Sequence, residues 1–361
     1  MIRPKTKRDL NRIIPFGVIW LLSGWIFLIV ELAATDSFNQ LPTTAIQMDT
    51  QIFIMSSLAI TCVGLFIGFI EIKYLENVFA NKKFIVKICS KFFIYTLVFF
   101  FVVLITFPIA ASLEIKAGLF DPRVWDKYLE YFTSITHLST VLQLTASLIV
   151  SLFYSEISEY IGQGVLMKFF TGKYHSPIEE ERIFMFLDMK SSTSIAEKLG
   201  HVEYFKLLKS YYADIAEPII DFEGEIYQYV GDEIIVSWKL ASPKLNTRCI
   251  DCFFAMRDAL LQKSDWYKAT FGIVPTFKAG IHLGNVTAGE IGVIKKEILF
   301  TGDVLNATAR IQGLCNSLNT DLLLSSDLAE ILNPDNKLQL KVLGEFNLRG
   351  KEESKELYTV G

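Results

Sequence analysis

The sequence predicts two parts: an α-helical membrane domain with four transmembrane helices over residues 1–154, and an α/β domain over 182–361, joined by a helical linker, 155–181. Three observations predict this. Hydrophobic residues make up 51% of the 361 positions. The excess lies in the first half, where Ile13–Ala33, Ile52–Ile70, Phe92–Leu113 and Leu138–Tyr154 are largely uncharged blocks. Each is close to the roughly 17–25 residues a bilayer-crossing helix needs. Ile183–Leu187 is a continuous apolar run, as in a strand covered on both faces, and it ends on Asp188. Gly224–Trp238 holds two short β-rich runs around Gly231-Asp232, the pattern of a tight hairpin.

Four such blocks in succession do not suit buried helices of a soluble protein. The last one carries Ser139, Thr140, Gln143, Thr145, Ser147 and Ser151, so it is expected to face other helices rather than lipid. Pro108 in the third is tolerable, because neighbouring helices can satisfy the backbone it frees. Few charges fall inside the blocks, which argues against a transport route. Arg3, Lys5, Lys7, Arg8 and Arg12 precede the first block, and Lys73, Lys82, Lys83, Lys87 and Lys91 separate the second from the third. Thr35–Thr50 has no Lys or Arg. By the positive-inside rule both termini and the second domain are cytoplasmic, at a cell (inner or plasma) membrane. The first block is read as a membrane helix rather than a cleavable signal peptide, being too long and followed by no cleavage motif.

The linker continues a helical pattern through Glu156, Glu159, Tyr160, Val165-Leu166 and Phe169-Phe170 until Thr171-Gly172-Lys173 and Ser176-Pro177 break it. A continuous helix can pass displacement from the membrane domain to the second domain; a passive spacer is the alternative. Beyond it, helices are expected after Thr193, over Val202–Phe222, Lys244–Gln262 and Val304–Leu318, and near Leu328–Leu332. Strands are expected over Thr276–Ile281, Gly284–Ala288, Ile294–Phe300, Thr320–Ser325, Leu338–Val342 and Glu356–Val360. Of the five cysteines, Cys249 and Cys252 form a C-x-x-C pair with no second Cys or His pair to complete a zinc site, and read as core packing.

The chemistry gathers at Asp188. A strand that delivers a carboxylate to a helix N-terminus sets a cation ligand beside free N–H groups suited to phosphate. An Asp and hydroxyls that merely cap a helix are the alternative, as is ordinary turn chemistry for Asp232. If the two strands are neighbours, Asp188 and Asp232 converge at one sheet edge.

The segments around these acids resemble class III nucleotidyl cyclases, the adenylate and guanylate cyclases, from about Ile183 to Val360. They occur in the family's order: the F-x-x-D-M-x-x-S-T segment, the Gly-Asp-Glu hairpin, Gly280-Ile281-His282-Leu283-Gly284, Gly302 through Arg310, and Leu348-Arg349-Gly350-Lys351. The resemblance implies an α+β, ferredoxin-like catalytic domain that makes cyclic AMP and pyrophosphate from ATP, with cyclic GMP from GTP, or a weakly active nucleotide sensor, as alternatives. It implies two Mg²⁺ or Mn²⁺ ions per site on Asp188, Asp232 and the Met189 carbonyl. Lys190, Ser191, Ser192, Thr193 and Arg349 would bind phosphate; Lys351 is a nearby second candidate. Asn306 would orient the ribose and Arg310 steady the transition state. The family's base-selecting positions here hold Thr276 and Leu299, departing from its pattern, and Lys278 and Thr301 are substitutes. The family also implies a head-to-tail homodimer with shared sites; lipid is the other expected partner, and no nucleic acid is expected.

Overall fold

The structure, a computed structural model, describes residues 3–38, 49–79, 82, 84–162, 165–240, 247–332, 339–347 and 354–360. The chain forms two compact units, Thr6–Leu166 and Met167–Gly361, the latter together with Met1–Lys5.

In the first unit each apolar block lies within a helix longer than itself: α1 Pro4–Phe38, α2 Thr50–Ile70, α3 Phe84–Ile115 and, after a helix of different character, α5 Ile135–Ile161. All four are long and apolar enough to cross a membrane. Asp49 caps α2, accepting from the Ile52 amide at 2.7 Å. At Gly64 and Gly68 a Cβ would stand 2.7 Å from the Trp20 side chain and 2.9 Å from that of Phe16, so the paired glycines let α1 and α2 approach closely. Ser151 faces inward as its polarity suggests, accepting from Trp20 Nε1 at 2.9 Å.

Two features depart from expectation. The segment after the third block contains α4, Pro122–Phe132, capped by Asp121, which buries Val124, Tyr128 and Tyr131. Its i, i+4, i+7 apolar face is diluted by four charged residues, Arg123, Asp126, Lys127 and Glu130, so no apolar block marks it. The unit also holds buried charge. Beyond Ile70, α2 runs into a π-helical turn, Glu71–Leu75, and Glu71 accepts from Lys91 Nζ and, at 2.7 Å, from Tyr95 Oη. All three are buried. Sequence shows Lys91 only as a basic residue between two blocks; its pairing with Glu71 is hidden because both sit just beyond the block ends at Ile70 and Phe92.

In the second unit, the short helix α6, Val165–Phe170, precedes β1, Ile178–Met189. The strand thus begins inside the segment read as linker. Glu180 and Arg182, which break the apolar pattern there, pair with each other: Arg182 Nε donates to Glu180 Oε2 at 2.8 Å and Nη1 to Ser237 Oγ at 2.9 Å. Then follow α7 Ser192–Leu199, α8 His201–Asp221, the hairpin β2 Glu225–Val230 and β3 Glu233–Lys239, and α9 Arg248–Gln262. An unexpected helix α10, Ser264–Phe271, leads to β4, Phe277–Ile291, which unites two strands expected separately. The rest is β5 Glu297–Thr301, α11 Asp303–Gly313, β6 Leu322–Ser325, α12 Ser326–Leu332, β7 Leu340–Asn347 and β8 Ser354–Val360.

The strands form one sheet in the order β2-β3-β1-β4-β6-β8-β7, with β5 paired to β4. β1 is central and antiparallel to both neighbours. One face, Ile183, Met185 and Leu187 on β1, packs under α8 and α9. Cys249 and Cys252 lie in that core; burial pushes the Cys249 thiol up to about 12 and Cys252 higher still, so both are inert packing groups. The opposite face carries Phe184, Phe186 and, on β4, Gly280 and Gly284. A Cβ at Gly280 would stand 2.4 Å from the Gln312 backbone nitrogen, and one at Gly284 3.0 Å from Val304. These glycines let α11 lie directly on the sheet.

Candidate active site

β1 and β3 pair so that Asp188 stands opposite Glu233, the residue after Asp232. The hairpin tip turns through Gly231 at φ 65°, where a glycine is favoured, and is held by Tyr212, whose hydroxyl donates to the Gly231 carbonyl and whose ring lies 4.8 Å from that of Tyr229. The two acids therefore meet at one sheet edge. Burial and the neighbouring Asp232 charge raise the Asp188 pKa, against the pull of Lys278. Glu233 is raised too, by burial and then by both aspartates. Asp232 Oδ2 is buried with no hydrogen-bond partner among the described residues. Two crowded carboxylates with an unsatisfied buried oxygen are what a hard divalent cation relieves, so the donor set fits Mg²⁺ or Mn²⁺. Among the described residues no group of three or more His, Cys, Asp or Glu side chains converges on a metal position. Further oxygens would have to come from a carbonyl, such as that of Met189, water or substrate phosphate.

The anion side follows at once. Ser191 takes a left-handed conformation, φ 56° and ψ 27°, unusual for a non-glycine residue, and turns the chain sharply into α7. The first intrahelical bond is from the Ile195 amide to the Ser191 carbonyl, so the amides of Ser191, Ser192 and Thr193 open the helix. Lys190 leaves the expected amide group, because its N–H donates to the Thr276 carbonyl at 2.8 Å. Its side chain pairs with Asp321. Arg349 and Lys351 lie outside the described residues.

α11 buries Val304, Ala307, Thr308, Ile311 and Gln312 against the sheet. Asn306 is exposed and Arg310 half-buried, one turn apart on the other side. Gln312 donates to Asp188 Oδ2 at 3.2 Å. Arg310 is roughly 200° around the helix from Gln312, so within one chain it faces away from the acids.

The four base-recognition candidates do not gather in one chain. Lys278 stands opposite Asp188 in the β1–β4 register, its Nζ 3.4 Å from Asp188 Oδ2, and Thr276 is exposed just ahead of β4. Leu299 and Thr301 on β5 pair with Gly289 and Thr287, towards the far end of β4. At about 3.3 Å per residue the two pairs are roughly 30 Å apart along that strand. Sequence reasoning also missed Gln312. Its one visible signal is a polar side chain at the buried i, i+4, i+8 positions Val304, Thr308 and Gln312.

An antiparallel-rich α/β sheet carrying paired acids beside a helix N-terminus is the arrangement that the resemblance to class III nucleotidyl cyclases implies. The chain belongs to that family: residues 175–360 match the model described as the adenylate and guanylate cyclase catalytic domain. It is similar to Adenylate cyclase 2 of Rhizobium meliloti (strain 1021), 34% identical over 200 residues, covering 55% of each chain. It is 25% identical over 185 residues to Adenylate cyclase of Anabaena cylindrica, covering 49% of this chain and 36% of that one. The chain thus spans about half the length, or less, of these curated relatives. Among solved structures, a bacterial light-regulated adenylyl cyclase shares the fold with a TM-score of 0.53 at 20% identity, covering 63% of this chain and 66% of that chain.

Proposed function

We propose that the chain is a membrane-anchored adenylate cyclase that converts ATP to 3′,5′-cyclic AMP and pyrophosphate and signals through the cyclic nucleotide. The observation that carries this reading is the meeting of Asp188 and Asp232 around a buried carboxylate oxygen with no hydrogen-bond partner among the described residues. ATP rather than GTP is supported by the curated relatives, which are named adenylate cyclases. In the reaction the ribose 3′-oxygen bonds to the α-phosphorus, the bond from that phosphorus to the bridging oxygen breaks, the hydroxyl proton leaves to water, and pyrophosphate departs.

Asp188, Asp232 and the Met189 carbonyl would hold two Mg²⁺ or Mn²⁺ ions, which when bound acidify the hydroxyl and offset phosphate charge. The amides of Ser191, Ser192 and Thr193 would receive the outer phosphates at the mouth of α7. Arg349 and the Lys190 side chain would add positive charge there. Asn306 would hold the ribose, and Arg310 the charge that builds around the five-coordinate phosphorus. Because Arg310 faces away from its own chain's acids, each site would take acids from one copy and Asn306 with Arg310 from another, in a head-to-tail homodimer. The apolar helices would anchor the pair in a cell (inner or plasma) membrane, with termini and catalytic domain cytoplasmic as the basic segments suggest. The linker would couple the anchor to catalysis.

The test is a product assay on purified full-length protein with ATP and GTP, in Mg²⁺ and in Mn²⁺. Cyclic AMP from ATP is expected. Cyclic GMP alone would make the chain a guanylate cyclase, and no product in any combination would overturn the enzymatic reading. Mixing Asp188→Ala with Arg310→Ala chains should restore activity that neither has alone; failure would overturn the shared site.

A further inference from the structure

We propose that Gln312 is a positioning residue that sets the orientation of Asp188 for cation binding; this rests on the cyclase reading above. Gln312 is buried on the sheet-facing side of α11, where its neighbours Val304, Ala307 and Ile311 are apolar. An amide at such a position costs desolvation unless it is bonded. Its Nε2 is bonded, to Asp188 Oδ2 at 3.2 Å. Thr308, the other polar residue on that face, satisfies itself on the Val304 carbonyl one turn back at 2.6 Å. Gln312 alone on this face directs its polarity at the acid.

The chain accommodates this contact in its backbone. Gly280 on β4 has no Cβ, and a Cβ there would come 2.4 Å from the Gln312 nitrogen. The close approach of helix to strand lets a carboxamide reach across β4 to the end of β1. Besides the crowding acid Asp232, Asp188 has two donors at Oδ2, neutral Gln312 and cationic Lys278 at 3.4 Å. They respond differently to a divalent cation. Positive charge at the site repels the Lys278 ammonium, whereas an uncharged amide is compatible with it. Gln312 is therefore the contact that persists on cation binding and keeps Oδ2 turned towards the helix. Partners of this kind, which fix the rotation of a ligating carboxylate, typically matter about 10–100-fold for metal affinity.

The test uses the full-length protein in detergent and Mn²⁺ alone as the probe. Mn²⁺ binding is read from the electron paramagnetic resonance signal of the free ion, and thermal unfolding is recorded without metal. Gln312→Met keeps the side-chain length and removes the donor. Gln312→Asn keeps the amide but is one methylene short. Both should raise the Mn²⁺ dissociation constant about 10–100-fold. The Mn²⁺ concentration for half-maximal activity should rise in parallel. A merely structural role would lower the unfolding temperature and leave the dissociation constant in place, and that result from either folded variant overturns the proposal. If the wild type binds Mn²⁺ and Asp188→Ala abolishes binding, while both Gln312 variants bind as the wild type does, only this inference fails. If the wild type itself binds no Mn²⁺ without nucleotide, this inference fails, whereas the cyclase reading stands or falls with the product assay.

Discussion

Gly280→Ala tests how closely α11 must lie on β4. The added carbon would stand 2.4 Å from the Gln312 nitrogen, 2.8 Å from its Cα and 2.9 Å from its Cβ. Two of these are backbone atoms, so no rotamer change relieves the clash. An ordinary contact begins near 3.4 Å, so α11 must retreat by 3.4 − 2.4, about 1 Å. Overpacking of this kind costs about 1–3 kcal/mol. At about 2–4 °C per kcal/mol for a domain of this size, unfolding should begin about 2–12 °C lower. The same retreat would lengthen the Gln312–Asp188 contact from 3.2 Å to about 4 Å, past hydrogen-bond range. Thermal unfolding and cyclase activity of purified full-length protein would be compared with the wild type. A Gly280→Ala protein with unchanged unfolding temperature and unchanged activity would refute the argument, because the helix would then have room that the structure denies it.

Two further predictions concern charge. Lys91→Leu removes the cation from the buried Glu71 cluster and should destabilise the membrane unit by about 3–5 kcal/mol, lowering the yield of monodisperse protein in detergent. Glu71→Gln with Lys91→Leu should recover most of that loss, and a double variant as poor as the single one would show the pairing to be unimportant. Glu180 opposes its own burial with hydrogen bonds from Lys173 and Arg182, which hold its carboxyl at about 2 against an ordinary 4.5. Its contribution to stability is complete above pH 4.5 and is lost as the pH falls towards 2. Glu180→Gln should flatten that part of an acid-unfolding curve; an unchanged acid limb would contradict the assignment.

What the sequence reveals and conceals follows from the range of the forces involved. Ile183–Leu187 announces a buried strand because every residue in it is apolar. The strand's first half does not, because it carries Glu180 and Arg182, and the buried Arg182 gains its bond to Ser237 only once β3 is alongside. Asp188 and Asp232 could be paired on paper, since a hairpin and a strand end are local patterns. Gln312 could not, because its contact depends on a helix distant in sequence settling over two glycines. Gly280 and Gly284 read as motif letters; the structure shows each as space for a helix. The separation of the base-recognition candidates within one chain is hidden for the related reason that β5 returns along the far end of β4.

The pairing of Glu71 with Lys91 also bears on how the proposed anchor would enter a bilayer. Either helix inserted alone would carry one uncompensated charge towards hydrocarbon, an unfavourable state that the partner relieves. The two belong to consecutive helices, so they are best delivered together as one hairpin. Registry between them would then be settled during insertion, before any catalytic domain has folded.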